Sequence, residues 1–332
     1  MTVLITGGSG LVGSHVIEAL RARGIAVRAL TRHPAAPAVR ALGAEVVTGD
    51  VTDAAAWVRA ADGGLEAIVH AAAIVQQPDI PLAGYEAVNV GGTRHAVETA
   101  RATRAGLVHV SSVAVYGGSS DYRPQPERRT EEYPFRPLAE QDFYARTKRA
   151  SEALVQEAAL RGDITATAIR PNVIYGERDR LFIRRLVRAI RGRIVPQIGP
   201  GTNHLSCVYA GNVAAAILAA LRRTPPPGEA FRAYNITADA PPQLTARQFL
   251  EAIAAACGVR VRFVPLPLPV ARVAIGLWSG PAMAGRALSF VTGENPYPID
   301  RAKSELHWTP PVTTHDAIVR TVRWVLANEK PG

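Results

Sequence analysis

Apolar residues in the first half of the chain follow two alternating rhythms. Short apolar runs, TVLITG (2–7), AVRALTR (26–32), EVVTGD (45–50), AIVHAAA (67–73) and LVHVSSVA (107–114), predict β-strands. Each is followed by an alanine-rich stretch with apolar residues at helical spacing. Strands alternating with helices predict a parallel sheet covered on both faces. A sixth run, TATAIRPNVIYG (165–176), reads as a strand leaving that sheet. Beyond Gly176 come short helices, isolated strands and proline-rich turns (RRTPPPGEA, DAPPQLT, VPLPLPV), which predict a smaller second unit.

The most apolar stretch is VPLPLPVARVAIGLWSGPAMAGRALSFV (264–291). Between Arg272 and Arg286 it is shorter than the about 20 residues a bilayer span needs, and Gly280-Pro281 interrupts it. A buried or lid helix is expected, with interfacial membrane contact as the alternative and no stable insertion. The chain of 332 residues is long enough for a substantial core, and its 20% charged content is ordinary for a soluble protein. A net charge of +10 raises the question of nucleic acid, but all but three of the 38 basic residues are arginines spread along the chain. In 177–193, Ile183, Leu186, Val187 and Ile190 repeat at helical spacing, with Arg184, Arg185, Arg188 and Arg191 elsewhere on the wheel. A solvated helix face is expected there, with an acidic partner as the alternative; no nucleic-acid partner is expected. Cys207 and Cys257 make neither a disulfide framework nor a metal-ligand spacing, so no metal is expected. MTVLITGG enters structure at once without a charged and an apolar leader region, so a secretory signal is not expected, and a reducing cytoplasm is.

The chemistry starts at TGGSGLVGSH. Gly7 suits a tight turn, Gly10 the close approach of a pyrophosphate, and Gly13 close helix–strand packing. The helix that follows directs its first N–H groups, around Ser9, Leu11 and Val12, at phosphate oxygens. The second strand ends in Thr31-Arg32-His33 with no acid. Arg32 there favours the 2′-phosphate of NADP, with NAD still open. Asp50, after the third strand, suits the adenine amino group and Val51 the ring face, while Ala71, Ala72 and Ala73 let backbone approach the cofactor. The expected fold class is therefore α/β: a Rossmann-type doubly wound parallel sheet with a smaller, mostly helical C-terminal substrate domain. The dinucleotide domain is expected over 1–175 with a returning segment at 207–236, and the substrate domain over 176–206 and 237–330.

Ser112 follows the fifth strand at the sheet's carboxyl edge, and Tyr144 and Lys148 stand at i and i+4, about 6 Å apart on one helix face. An ammonium beside a phenol is expected to lower its pKa from about 10 into the range useful for proton transfer. A nearby serine hydroxyl would orient a carbonyl or alcohol oxygen.

With these pieces in place the sequence resembles the extended short-chain dehydrogenase/reductases, the epimerase/dehydratase-like superfamily. The matching segments are TGGSGLVG, GDVTD, HAAA, NVGGT, SSVAVYG, YARTK and RPNVIYG, with CVYAGNVAAAILAA and TPPVTTHDAIVRTVRW extending the likeness almost to the end. The resemblance implies Ser112, Tyr144 and Lys148 as the catalytic triad, with Ser112 chosen over Ser111 by its distance from Val115 of the VYG segment. It implies Asn89 as a brace for cofactor and active-site helix, Pro171 and Val173 against the nicotinamide, and Val113, Tyr116 and Asn172 towards substrate. Asn172 capping a turn stays open. It also implies a homodimer through the helices at 89–104 and 142–161.

Sugar-nucleotide enzymes of this family usually carry an arginine four residues before the tyrosine of their VYV segment. Here, four residues before Tyr209, stands Leu205, with His204 beside it, and Asn212 replaces the usual acid. Leucine cannot clamp a diphosphate. The chain looks closer to the hydroxysteroid-dehydrogenase and dihydroflavonol-reductase-like branch, with Leu268, Trp278, Phe290 and Tyr116 as candidate walls. That implies an NADP(H)-preferring oxidoreductase interconverting a ketone and a secondary alcohol on a steroid-, flavonoid- or polyketide-like molecule. A sugar-nucleotide epimerase or dehydratase, and a non-catalytic NADP-sensing protein, are the alternatives.

Overall fold

A computed structural model describes residues 2–75, 77, 79–117, 127–179, 182–223, 230–279 and 281–328. Two sequence expectations fall outside them: the proline turn at 224–229 and the side chain of Trp278.

The predicted strands form as β1 (Thr2–Thr6), β2 (Ala26–Thr31), β3 (Glu45–Thr48), β4 (Ala67–His70), β5 (Gly106–Val110) and β6 (Ala166–Pro171). Further along lie β7 (Val173–Tyr175), β8 (Ile194–Ile198), β9 (Cys207–Tyr209), β10 (Phe231–Ile236) and β11 (Arg262–Leu266). Seven of them make one parallel sheet in the order β10-β6-β5-β4-β1-β2-β3. The order reverses between β1 and β4, and the crevice at their carboxyl ends is where such sheets bind ligands. Both faces are covered. Val16, Ile17, Leu20, Val213 and Ile217 pack on one side, and Trp57, Ala96, Val97, Val155 and Ala159 on the other.

Three strands end earlier than their apolar runs. β4 stops at His70 because the amides of Ala71 and Ala72 turn to Thr6, bonding its carbonyl and its hydroxyl at 3.3 and 3.2 Å. β5 stops at Val110 because Ser112 caps a single helical turn, Val113–Tyr116. The sixth run splits at Asn172. Pro171 has no N–H to extend the ladder, and the Asn172 amide donates to Ser206 Oγ and the Thr237 carbonyl at 3.0 and 2.9 Å. Past that break β7 pairs with β9 in a separate small sheet, and β11 pairs with β8 in another.

A third cluster gathers β7 and β9 with the helices Ile183–Arg191, Ala246–Ala256 and Thr314–Ala327. In the arginine-rich helix Ile183, Val187 and Ile190 are buried, Arg185 and Arg188 are exposed, and Arg184 lies over the Trp324 ring. The two helices of the apolar stretch, Leu268–Ser279 and Pro281–Thr292, pack on each other. The first is not buried all round: Val270, Val273 and Leu277 are exposed. No helix among the described residues is long and apolar enough to cross a membrane, and no metal-holding cluster occurs among them.

Two histidines sit in the sheet's centre. His70 and His109 stack with ring centroids 5.8 Å apart, both about 1% exposed, and neither ring nitrogen of His109 finds a partner among the described residues. Burial first, then the nearby Lys148 charge, lowers His70 from 6.5 to about 3 and pushes His109 well below its ordinary value. The unfolded chain therefore takes up protons below about 6.5 that the folded protein refuses, so stability present above that pH is lost as pH falls towards 3. Unfolding temperature is expected to fall between pH 6.5 and 5, a window above most carboxylate titration. His109→Leu is expected to make that fall shallower, and an unchanged slope would show that these histidines stay uncharged for another reason.

Candidate active site

The turn after β1 meets the turn after β4. Gly7 has φ +70°, and a Cβ there would lie 2.7 Å from the backbone of Ala71 and Ala72, so only glycine lets the two segments touch. A Cβ on Gly13 would sit 2.3 Å from the Gly7 carbonyl oxygen, which is how closely helix and turn are pressed together. Gly10 differs: a Cβ there would meet only that carbonyl, at 3.1 Å, and otherwise face open space. The helix Leu11–Arg21 starts at Gly10 with no side-chain cap. Its first-turn amides, with Ser9, Leu11 and Val12 around them, are left uncapped beside the open space at Gly10, an arrangement that could hold an anion.

Arg32 is exposed just past β2. Asp50 closes the turn after β3, its Oδ1 accepting the amide and hydroxyl of Thr52 at 3.0 and 2.9 Å. The next helix is capped by Asp53, not Asp50. Val51 is 8% exposed and its carbonyl accepts the Trp57 indole N–H, so only its margin faces the crevice. These residues fit a dinucleotide with an unblocked phosphate cradle and a cation beside the second strand.

The helix Phe143–Leu160 carries Tyr144 and Lys148. Asp142 caps it by accepting the Ala145 amide at 3.2 Å. Asn89 braces it from the side. Buried in a π-helical turn, Glu86–Gly91, Asn89 bonds both the amide and carbonyl of Ile74 and donates to Thr147 at 3.0 Å. Its carbonyl also accepts the Ser151 hydroxyl at 2.8 Å. Asn89 thus fastens the segment after β4 to the helix bearing the tyrosine.

Ser112 is 8% exposed, accepts the Ala114 amide at 3.2 Å and lies near enough to the Tyr144 phenol to lower its pKa. Ser111 is turned the other way, its hydroxyl buried without a partner among the described residues. Lys148 is 3% exposed and its ammonium donates to the Val110 carbonyl, at the end of the strand that leads to Ser112. Serine, tyrosine and lysine converge at the sheet's carboxyl edge, beside the glycine turn.

The electrostatics differ from the simple expectation. Burial pushes the Tyr144 phenol above its ordinary value, the nearby Ser112 hydroxyl works against that, and the Asp142 carboxylate adds to it. Lys148 does not counter this, because its head is turned to Val110. Burial lowers the lysine from 10.5 to about 8, offset in part by Glu152. Glu152 is itself held by the Arg170 guanidinium at 3.0 and 3.1 Å.

Other expected residues land apart from this group. Tyr116 is fully buried, its hydroxyl accepting from Arg170 and donating to Asn235, both at 2.8 Å, with its ring stacked on Tyr297. It braces the core and presents nothing to a substrate. Val113 is half-buried, Pro171 is buried and Val173 is 39% exposed at the break between β6 and β7. Asn172 joins the polar link to Ser206 and Thr237, so its amide acts as a structural tie. Leu205 packs against the third core cluster, and His204 is paired with Glu294 at 3.0 Å. Phe290 meets Phe182 edge-on and belongs to that cluster.

Two functional neighbours were not anticipated. Asp142, two residues before Tyr144, was legible as a helix cap. Its partner Arg286, at 2.5 Å, comes from 144 residues away and carries no local signal.

A family model described as the NAD dependent epimerase/dehydratase family matches residues 3–237. The chain is 33% identical over 280 residues, 83% of its length and 79% of the relative's, to 4-hydroxy-2-methyl-3-oxo-4-farnesyl-3,4-dihydroquinoline-1-oxide ketoreductase from Stigmatella aurantiaca. It is 30% identical over 98% of its length and 90% of the relative's to 3 beta-hydroxysteroid dehydrogenase/Delta 5-->4-isomerase from Mycobacterium tuberculosis (strain CDC 1551 / Oshkosh). Among solved structures, the UDP-glucuronic acid 4-epimerase of Bacillus cereus in complex with NAD superposes with a TM-score of 0.73, covering 98% of this chain and 99% of that one at 18% identity.

Proposed function

The chain belongs to the NAD-dependent epimerase/dehydratase family and is an NAD(P)-dependent oxidoreductase of the CH–OH type, and from that premise we propose that it interconverts a ketone and a secondary alcohol on a hydrophobic small molecule, preferring NADP(H). The observation that supports this reading is that Ser112, Tyr144 and Lys148 come together at the sheet edge, with Ser112 close enough to lower the pKa of the Tyr144 phenol and Lys148 held on the Val110 carbonyl. A bound nicotinamide dinucleotide would supply or take up the hydride. Ser112 holds the substrate oxygen, and Tyr144 gives or removes its proton. Burial keeps the phenol protonated at neutral pH, which suits donation to a carbonyl oxygen during reduction. Lys148, with a pKa of about 8 and its head on the Val110 carbonyl, keeps most of its charge there and would hold the nicotinamide ribose.

The substrate class follows from Leu205. An apolar residue packed into the core, beside a histidine already paired with Glu294, offers nothing to a nucleotide diphosphate. The relatives named for a farnesylated quinoline and a hydroxysteroid point the same way. Lipophilic ketones with NADPH are expected to raise the unfolding temperature and to be turned over, whereas UDP- and TDP-sugars are not. Stabilisation by the nucleotide sugars alone would support an epimerase or dehydratase instead. Failure to turn over any carbonyl or alcohol would support a cofactor sensor.

Cofactor preference rests on Arg32, exposed at the end of the second strand where a ribose phosphate would lie. kcat/KM is expected to favour NADPH over NADH, and Arg32→Ala to reduce that ratio by roughly tenfold or more, the worth of one charge-assisted hydrogen bond. A clear preference of the unaltered protein for NADH would remove Arg32 from the site.

A further inference from the structure

We propose that the outward face of the helix Leu268–Ser279 docks flat on an anionic bilayer surface. Apart from Arg272 and the terminal Ser279 the helix is apolar, a pattern that calls for cover on more than one side. Its inner stripe, Leu268, Ala271 and Ile275, recurs at i, i+3 and i+7 and is buried or half-buried, and Gly276 lies against Ala284 of the helix behind. The outer stripe has the same spacing and is exposed among the described residues: Val270, Val273 and Leu277 are 52%, 61% and 86% exposed. Val264, on the strand leading into the helix, is exposed as well. Scattered single exposed apolar residues need no explanation, but a stripe of them on one helix does.

Charge identifies the occupant. From Glu251 to Glu294 the chain has no acidic residue between the two, while Arg260, Arg262 and Arg272 are exposed. Arg193 joins them, since its carbonyl accepts the Arg262 amide across the small β8–β11 sheet. An exposed apolar stripe on a segment whose exposed charges are all arginines matches the acyl boundary beneath negatively charged headgroups. A second copy of this chain would instead bring the same cations face to face. The helix is too short to span, so it lies in the plane of the surface. Behind it, the helix Pro281–Thr292 reaches the active-site helix through Arg286 and Asp142, so the docked face stands one helix away from the chemistry. Adsorption is read without turnover and stands independently of the proposed reaction.

The test is co-sedimentation of the full chain with phosphatidylcholine vesicles, with and without phosphatidylglycerol. At low salt at least about tenfold more protein is expected on the anionic vesicles, with most released at ~1 M salt, where screening is nearly complete. The double substitution Val273→Asp, Leu277→Asp is expected to abolish binding at an unchanged unfolding temperature. Arg260→Gln with Arg272→Gln, which leaves the apolar stripe intact, is expected to weaken binding severalfold and serves if the first variant does not fold. No binding to either vesicle overturns the proposal, as does full binding by the folded double-aspartate protein. Concentration-dependent self-association that this variant loses, without vesicle binding, overturns it in favour of a second copy.

Discussion

Tyr144→Phe is expected to lower kcat by at least about a hundredfold while the dinucleotide binds as before, the usual scale for removing a positioned proton donor. Phenylalanine keeps the ring that packs at the start of the helix Phe143–Leu160 and deletes only the hydroxyl that meets Ser112. The brace from Asn89 to Ile74 and Thr147 is untouched, so the helix and the neighbouring cofactor crevice keep their geometry. Single-turnover kinetics with NADPH and a lipophilic ketone, beside equilibrium titration of NADPH, separate the two effects. Near-normal turnover would take Tyr144 out of the mechanism, and loss of NADPH binding would make it a structural residue. Removing the carboxylate that presses on the phenol, in Asp142→Asn, is expected to move the pH profile of alcohol oxidation downwards, because Asp142 adds to the raised pKa.

The second large effect separates two glycines that look alike in the sequence. Gly13→Ala places a methyl group 2.3 Å from the Gly7 oxygen and 2.8 Å from its carbonyl carbon, inside the closest approach real atoms tolerate. Helix and turn must part. Both the unfolding temperature and dinucleotide affinity are expected to fall, with overpacking of this kind costing about 1–3 kcal/mol. Gly10→Ala meets only one oxygen, at 3.1 Å, so the fold is expected to survive with a small change in unfolding temperature. Its methyl instead occupies the approach to the uncapped helix start, and NADPH binding is expected to weaken at least about tenfold. Calorimetric unfolding beside NADPH titration tests the contrast. Equal affinity of Gly10→Ala and the unaltered protein would mean that the phosphates lie elsewhere.

Much of this site was legible because its signals are local. A glycine turn between strand and helix, a serine after a strand and a Tyr-x-x-x-Lys pair each need only a few consecutive residues to be recognised. The strand ends were less legible. His70, Val110 and Pro171 end their strands because the next residues bond to Thr6, to a one-turn helix and to Thr237, partners that no apolar run announces. Tyr116 illustrates the same limit. The family resemblance implied a pocket wall, yet Arg170 and Asn235, from two other strands, draw its hydroxyl into the core.

What the sequence by itself determined is the order of parts: parallel strands with covering helices, a glycine turn at the first of them, a tyrosine–lysine pair on one helix, and a leucine four residues before Tyr209. Periodicity and spacing are properties of neighbouring residues, and the backbone turns them directly into faces. What only the tertiary structure decided is which charges meet. Arg286 reaches Asp142 across 144 positions, Asn212 meets Asp239 where an acid would be repelled, and the Lys148 head turns to Val110. Burial then overrides proximity, raising the phenol that the lysine was expected to lower. Desolvation depends on everything packed around a group, and that is settled only when the whole chain has closed over it.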